Sequence, residues 1–362
     1  MYAPSFPLNQ KKEYLQFFKE NGYVVVDNVI SEQDCEKSVD AIWNLVKRSS
    51  VESCIKDQPE TWGDNWPTSK TGILGDGIVQ DPQAWKNRQN KNIYDVFSTL
   101  YNDSDLIVSL DRYGITRPTV NIPINGKLVN KPEWSGLQSW FHWDLNPWLW
   151  SGVTKRDYEL PFDNYNTMDP FVHQRIITHF IIENNNIDNT GNYKLQGLVA
   201  FADTNTDTGG FQCVPGFNVE QLKEWCERNM ENAEKYKKAH FVPVPKEDEL
   251  IKQGQVIGIR KGSLLVWSST LPHCNRDNRS SVFRYCQYIK LMQASTIPCI
   301  EDRAAFIERN FPALKNVEIT PTGEQVFGLD KLEKKNSRRR KLLLTIPVMV
   351  AIVAFVAVKI FV

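Results

Sequence analysis

The sequence lacks the cysteine patterns that mark zinc sites, redox motifs and disulfide frameworks. It has seven cysteines, an odd number, and no Cys-x-x-Cys pair. They are scattered along the chain, at positions 35, 54, 213, 226, 274, 286 and 299. The first twelve residues also lack the apolar run of a secretory signal. We therefore expect a domain with reduced thiols that faces the cytosol.

The sequence also has no net charge, because 43 basic and 43 acidic residues cancel. The balance is uneven along the chain: residues 334–362 contain seven Lys and Arg and no acidic residue, which leaves residues 1–333 with a net charge of −7. Proteins that bind nucleic acid neutralise its phosphates with basic side chains. The charge of the main part of the chain therefore argues against nucleic acid as its partner.

What the sequence has in abundance is apolar and aromatic surface. Hydrophobic residues make up 41% of the 362 residues and include eleven Trp and eighteen Phe, enough for a large folded core. Apolar runs such as Tyr23–Asn28, Leu106–Leu110 and Leu264–Trp267 are short, and Gly, Pro or Asn residues separate such runs along the chain. This pattern predicts an antiparallel sandwich or barrel rather than parallel βαβ units.

Helices are predicted beside these strands. Ser31 is a suitable N-cap, and apolar residues follow it at helical spacing. Further helical segments are predicted over residues 12–20, 82–101, 219–238 and 301–310. Residues 50–80 are polar and rich in turn formers, so we expect an irregular loop there, near the mouth of a pocket.

The stretch from Ser139 to Trp148 contains the first candidate site residues. His142 and Asp144 are two residues apart, which on an extended strand places both side chains on one face. An imidazole and a carboxylate form a nitrogen and oxygen donor set that suits iron(II) or manganese rather than a thiolate zinc site. Two such ligands do not define a site by themselves.

A third candidate ligand follows much later in the chain. His273 stands at the end of an apolar strand and turn, and with His142 and Asp144 it completes a two-His-one-carboxylate facial triad that leaves metal positions open. Arg284 lies eleven residues beyond His273 in an alternating strand, whereas Arg276 and Arg279 lie in the polar turn before it. A permanently charged, fork-shaped guanidinium suits a dicarboxylate.

These residues together resemble the phytanoyl-CoA dioxygenase family of iron(II)/2-oxoglutarate oxygenases. The resemblance covers about residues 12–310, and it includes the strand with Gly209-Gly210 and Pro215-Gly216. It implies a double-stranded β-helix, a jelly roll of the cupin type, with flanking helices. It also implies that His142, Asp144 and His273 are the catalytic metal ligands, and that Arg284 holds the distal carboxylate of 2-oxoglutarate.

The resemblance further implies the reaction. Bound to iron(II), 2-oxoglutarate and O₂ react to release succinate and CO₂, and an unactivated C–H bond of the substrate is oxidised. Halogenating relatives lack the carboxylate ligand, so the presence of Asp144 favours hydroxylation. Asn146-Pro147-Trp148 departs from the commonest family pattern. The substrate should therefore not be carried over from the best-known member.

Five tryptophans lie at positions 134, 140, 143, 148 and 150, around the metal-binding stretch. They are interpreted first as packing residues of one strand and its surroundings. They also suit an aromatic wall against an apolar substrate, and the two interpretations are compatible. Together with the segment described next, they favour a lipid-like substrate.

Residues 342–362 form an apolar run that is long enough, at 1.5 Å per residue, to cross a bilayer of roughly 30 Å. Six basic residues at 334, 335 and 338–341 precede it, which predicts a transmembrane tail anchor with the catalytic domain in the cytoplasm. We expect a flexible N-terminus over residues 1–11, the oxygenase domain over 12–311 and a polar to basic linker over 312–341. The sequence does not indicate which membrane is entered.

The sequence therefore predicts a tail-anchored jelly roll that acts on a small organic substrate as an iron(II)/2-oxoglutarate dioxygenase. Two alternatives stay open at this point. One is a membrane-tethered binding protein that keeps the fold without turnover. The other is a hydrolase that uses His142, Asp144 and His273 to activate a metal-bound water, although this would leave Arg284 without a role.

Overall fold

The computed structural model describes residues 1–50, 54–68, 70–74, 79–154, 195–237, 239, 241–296, 300–334 and 337. Its strands are β1 Ser5–Phe6, β2 Tyr23–Val26, β3 Ile73–Leu74, β4 Leu106–Val108, β5 Tyr113–Thr116, β6 Ile122–Ile124, β7 Lys127–Val129, β8 His142–Trp143, β9 Leu195–Ala200, β10 Gly210–Cys213, β11 Val242–Pro243, β12 Gln255–Val256, β13 Leu264–Ser268, β14 His273–Arg276, β15 Arg284–Tyr288 and β16 Leu291–Gln293.

The α-helices are α1 Lys11–Asn21, α2 Glu32–Ser49, α3 Pro82–Arg88, α4 Lys91–Tyr101, α5 Pro147–Trp150, α6 Val219–Arg228, α7 Met230–Ala233, α8 Ile300–Asn310 and α9 Pro321–Val326. Short 3-10 helices span Pro59–Thr61, Pro132–Trp134, Glu249–Gln253, Ala294–Thr296 and Pro312–Asn316. The strands outnumber the helices but are shorter, as expected for a mainly β protein with flanking helices.

Two sheets form the body of the molecule. The larger sheet has seven strands in the order β1-β2-β13-β9-β15-β5-β3, and the smaller has five in the order β11-β8-β14-β10-β12. Neighbouring strands are antiparallel except for the parallel pair β1 and β2. Residues of both sheets share one buried cluster and line one cavity, so the sheets face each other as the two layers of a jelly roll. This part of the predicted fold is confirmed.

The helices cover the outer face of the larger sheet. Ser31 caps α2 as predicted, because its side chain accepts a hydrogen bond from the Asp34 backbone N–H. The α2 residues Cys35, Ile42 and Val46 are buried in a cluster that also holds residues of α1, α3, α4 and α8. This cluster stiffens the sheet from behind and leaves its other face for the cavity.

The prediction of a flexible N-terminus over residues 1–11 is wrong. β1 adds a parallel strand to the edge of the larger sheet, and the Ala3 backbone N–H donates to Gly258 O at 3.0 Å. Phe6 packs against Phe17 of α1 with ring centroids 5.3 Å apart. Backbone pairing and aromatic packing together order this segment.

The predicted start of the linker at residue 312 is also wrong. α9 follows the 3-10 helix at Pro312–Asn316, and Val326 and Phe327 are fully buried. Phe327 packs against Trp85 at 5.3 Å, and the Thr320 backbone N–H donates to Gln89 Oε1 at 2.9 Å. The apolar residues of this otherwise polar segment pack into the core, so the domain continues through α9.

Two further predictions concern single segments. The helix predicted over 219–238 ends at Arg228 and resumes over Met230–Ala233, whereas the helix predicted over 301–310 is confirmed as α8. The predicted membrane segment, residues 342–362, lies outside the described residues. Among the helices that the structure describes, none combines the length and the apolar character that a bilayer crossing requires.

Candidate metal centre

The three predicted metal ligands converge although 129 residues separate Asp144 from His273. β8 pairs with β14 so that His142 and His273 are direct partners across the smaller sheet. Asp144 follows β8, and its carboxylate oxygens lie 3.5 Å from His142 Nε2 and 3.4 Å from His273 Nε2. One ligand atom from each residue lies within 4.8 Å of the other two. Metal–ligand bonds of about 2 Å would place neighbouring ligand atoms about 3 Å apart, so the arrangement can surround one ion.

Hydrogen bonds orient both imidazoles toward a shared ion. His142 Nδ1 lies 3.2 Å from Trp140 O, and His273 Nδ1 lies 3.0 Å from Leu271 O. A backbone carbonyl only accepts, so in each neutral ring Nδ1 carries the proton and Nε2 keeps its lone pair. Both Nε2 atoms face the Asp144 carboxylate. The donor set therefore fits a divalent metal ion such as iron(II).

The ionisation of the site agrees with this assignment. Burial alone would raise the pKa of Asp144, but the adjacent imidazoles of His142 and His273 hold that pKa well below its usual value. Burial lowers the pKa of His273, against the opposing effect of Asp144. The carboxylate is thus ionised and His273 is neutral near pH 7, which are the forms that bind a metal.

Aromatic rings hold the two histidines in place. His142 is stacked against Trp140, with centroids 4.6 Å apart and planes at 12°, and against Phe241 at 4.5 Å. On the other side of the site, Phe211 stacks on His273 at 5.7 Å. Of the five tryptophans predicted as an aromatic wall, Trp140 lines the cavity, while Trp143 and Trp148 are buried in the core.

The site opens into a cavity of about 370 Å³ between the two sheets. Its lining combines aromatic, polar and charged side chains with the two histidines and Asp144: Thr71, Ile73, Asp111, Arg112, Leu137, Trp140, Gln196, Gly197, Phe211, Phe241, Trp267, Cys274, Asn275, Tyr288 and Lys290. Thr71 and Ile73 belong to the loop over residues 50–80, which confirms that part of this loop lies beside the pocket. The volume suits a small molecule rather than a polymer.

Arg284 is on β15 of the larger sheet and lies behind the cavity wall. It is 1% exposed, and neither terminal nitrogen has a hydrogen-bond partner among the described residues. The Tyr288 hydroxyl, which adjoins the guanidinium, accepts a hydrogen bond from Asn275 Nδ2 at 2.7 Å. Because a buried guanidinium normally has partners, these orphaned donors fit a carboxylate that reaches Arg284 past Tyr288.

The missing side chain of Gly210 leaves room for the Arg284 guanidinium. A Cβ added there would lie 3.1 Å from Arg284 Nε, and the φ of Gly210 is +110°, outside the range that other residues favour. The turn role predicted for Gly209-Gly210 is therefore accompanied by a packing role. The alternative arginines lie elsewhere: Arg279, for example, pairs with Asp277 at 2.8 Å and is about half exposed.

Sequence reasoning missed three polar residues of this site. Gln196 on β9 is buried and donates to Asp144 Oδ2 at 3.2 Å, while its own Oε1 has no partner among the described residues. Tyr288 and Asn275 join the metal site to Arg284. Alternation along β15 could have indicated Tyr288, which shares a strand face with Arg284, but no local signal marks Gln196. The other histidines, His173, His179 and His240, lie outside the described residues.

Comparison with known proteins supports the resemblance that the sequence indicates. No family model matches the chain. A Dictyostelium discoideum protein named "Putative phytanoyl-CoA dioxygenase" is 29% identical over 328 residues, which cover 87% of this chain and 86% of the relative.

Solved structures match the fold at low sequence identity. A hypothetical protein of Escherichia coli is 12% identical with a TM-score of 0.57, and the match covers 91% of this chain and 85% of that one. The GlcNAc-inducible gene 2 protein of Candida albicans is 15% identical with a TM-score of 0.53, over 92% of this chain and 77% of that one. These two structures support the fold alone. Through the Dictyostelium relative, the resemblance of this chain to the phytanoyl-CoA dioxygenase family is confirmed.

Proposed function

We propose that this protein is an iron(II)/2-oxoglutarate-dependent dioxygenase that hydroxylates an unactivated C–H bond of a small organic substrate. The observation that carries the proposal is the convergence of His142, Asp144 and His273 at one side of an open cavity, with ligand atoms within 4.8 Å of one another. Three protein ligands on one face leave positions for other molecules, as in non-haem iron oxygenases. The named Dictyostelium relative supports the same reaction class.

Each residue of the site has a distinct role in this proposal. His142, Asp144 and His273 hold iron(II), and Gln196 fixes the orientation of the Asp144 carboxylate. Arg284 and the Tyr288 hydroxyl receive the distal carboxylate of 2-oxoglutarate. When bound, iron and 2-oxoglutarate supply the chemistry that converts O₂ into an oxidant, with release of succinate and CO₂. The protein holds the reactants in place and keeps water away with Trp140, Phe211 and the neighbouring rings.

Succinate release tests this function against its rivals. The purified protein is incubated with iron(II), O₂, 2-oxoglutarate and a library of candidate substrates. We expect succinate to form in the presence of particular substrates and to require both the metal and 2-oxoglutarate. A binding protein would release none with any substrate, and a metal hydrolase would turn over without 2-oxoglutarate, so either result would contradict the proposal.

We also propose that residues 342–362 anchor the protein in a membrane and keep the catalytic domain in the cytoplasm. The apolar run and the six basic residues before it support this proposal. An anchored enzyme would meet lipid-like substrates, whose apolar part suits the aromatic wall of the cavity. Deleting residues 342–362 should move the protein from the membrane pellet to the soluble fraction without loss of bound iron. A truncated protein that stays in the pellet would show that another element is the anchor.

A further inference from the structure

Lys290 is a buried cation that the proposed chemistry does not use. It is only 7% exposed, lines the cavity, and forms no ion pair within the part of the chain that the structure describes. Its backbone is fixed to Ser109 by two hydrogen bonds, of 3.0 Å to Ser109 Oγ and 2.8 Å from the Ser109 backbone N–H. Buried ammonium groups are normally paired, because desolvation of an unpaired charge is costly. A rigid backbone thus presents an uncompensated positive charge to the cavity.

Strand register places Lys290 beside the metal centre. β15 pairs with β9 so that Tyr288 is opposite Leu198, and the Ile289 backbone N–H donates to Gly197 O at 2.9 Å. Continuing the register by one more residue places Lys290 opposite Gln196, the residue that donates to Asp144. Directly opposite side chains on a sheet face lie close enough to act on the same ligand.

The other charged side chains that line the cavity, besides the two histidines, are Asp111, Arg112 and Asp144. Arg112 Nε lies 3.7 Å from Asp111 Oδ1, and the Arg112 side chain is 37% exposed, so this pair is partly solvated. Its opposite charges cancel and do not neutralise Lys290. Asp144 is a proposed ligand of the divalent metal ion, whose charge outweighs that of the carboxylate. With the metal bound, Lys290 therefore adds to a net positive charge in a cavity lined by aromatic, apolar and polar residues.

The position of Lys290 also separates it from the group proposed to hold the cosubstrate. Arg284 begins β15 and Lys290 lies two residues beyond the end of that strand, so six residues separate them, which corresponds to about 20 Å of extended chain. A carboxylate held at Arg284 therefore does not reach Lys290. Lys290 is thus left for an anionic group other than the carboxylate proposed at Arg284.

We propose that Lys290 binds an anionic group of the substrate, a carboxylate or a phosphate, while the apolar part of the substrate lies against Trp140 and Phe241. This inference rests on the proposed function, because it names the substrate class of the same site. The substrate is then a small organic anion whose oxidised carbon lies near its charged group.

Binding of matched probes tests this proposal. The full-length protein, loaded with manganese(II) and saturated with 2-oxoglutarate, is titrated calorimetrically with 3-phenylpropanoate, its neutral amide and 2-phenylethylphosphonate. We expect the wild type to bind at least one of the two anions about tenfold or more tightly than the amide. Lys290→Met should abolish this preference, and Lys290→Arg should retain most of it. Lys127→Met, on the exposed β6–β7 hairpin, is the matched control and should behave as the wild type.

The two anionic probes distinguish the possible anionic groups of the substrate. Tighter binding of 3-phenylpropanoate indicates a carboxylate, and tighter binding of the phosphonate indicates a phosphate ester. Equal binding of anion and amide by the wild type, absence of anion binding, or a preference that survives in Lys290→Met would overturn the proposal. Loss of anion binding as 2-oxoglutarate is added would also overturn it, because the anion would then occupy the cosubstrate site. If 2-oxoglutarate itself does not bind, the dioxygenase proposal fails, but the anion and amide can still be compared on the metal-loaded protein.

Discussion

The two sheets of the jelly roll differ in what they present to the cavity. The five-stranded sheet contributes His142 and His273, direct partners on β8 and β14, with Asp144 just after β8. The seven-stranded sheet contributes none of the three candidate metal ligands found among the described residues, but it holds Arg284, Tyr288 and Gln196. In the proposed function, metal binding and ligand recognition are thus placed on opposite walls of one cavity.

This separation means that the two properties can be altered independently. Variants on the smaller sheet should change metal content first, whereas variants on β15 should change the requirement for organic ligands and leave the metal in place. The hydrogen bond from Gln196 to Asp144 crosses between the walls, from β9 of the larger sheet, as does the one from Asn275 on β14 to Tyr288, but only the first reaches a candidate metal ligand. Gln196 should therefore show a mixed effect.

The largest effect is expected on the smaller sheet. Changing His142, Asp144 or His273 to Ala removes a metal ligand and should abolish turnover. Iron affinity should fall by more than about 100-fold, because the loss of a residue that only hydrogen-bonds to a metal ligand already lowers affinity by up to about 100-fold. Metal content and circular dichroism after dialysis are the measurements. Asp95→Ala, which breaks an exposed ion pair on α4, is the control. Undiminished iron in all three variants would remove the triad from the site.

The second prediction concerns the larger sheet. Arg284→Gln loses a charge-assisted contact to the distal carboxylate of 2-oxoglutarate, at a cost of about 2–4 kcal/mol. The 2-oxoglutarate concentration for half-maximal succinate release should rise roughly 30-fold or more, with iron affinity unchanged. Arg279→Gln, which affects a half-exposed arginine paired with Asp277, should titrate as the wild type. Coincident curves for Arg284→Gln and the wild type would exclude Arg284 from cosubstrate binding.

A third variant tests the link between the walls. Gln196→Met keeps the side-chain length but removes the donor to Asp144, so iron affinity should fall about tenfold, which is typical for partners of metal ligands. Isothermal titration with iron(II) under anaerobic conditions gives this value. Gln212→Met changes a buried glutamine that contacts the Cys274 thiol and not the triad, and it should retain full affinity. If the two variants bind iron equally well, Gln196 has no role in holding Asp144.

The smallest effect is expected at Tyr288. Tyr288→Phe removes one neutral hydroxyl beside Arg284, which should raise the half-saturating 2-oxoglutarate concentration about fivefold. Burial raises the pKa of Tyr288 to about 12, so its hydroxyl stays protonated well above pH 9. The ratio between variant and wild type should therefore be the same at pH 6.5 and at pH 9. A ratio that changes across this range would show that Tyr288 ionises in the working enzyme.

Much of the site could be predicted from sequence because its signals are local. The alternation of side chains along a strand brings His142 and Asp144 together, and the turn before His273 and the position of Arg284 in the next strand are short-range features. The same locality explains the errors at both ends of the domain. β1 and α9 are ordered by distant partners such as Trp85, and at two and six residues each is too short to show a periodic pattern of its own.

The sequence by itself determined the candidate donor set, the short antiparallel strands and the charge asymmetry of the chain, because residue chemistry and periodicity suffice for these. Only the tertiary structure decided that Gln196 adjoins Asp144, that Tyr288 lies between Arg284 and the cavity, and that Lys290 is buried with no ion-pair partner among the residues that the structure describes. The physical reason is register. The pairing of β9 with β15 joins residues about ninety positions apart, and the free energy that selects it comes from the packing of two whole sheets rather than from either strand alone.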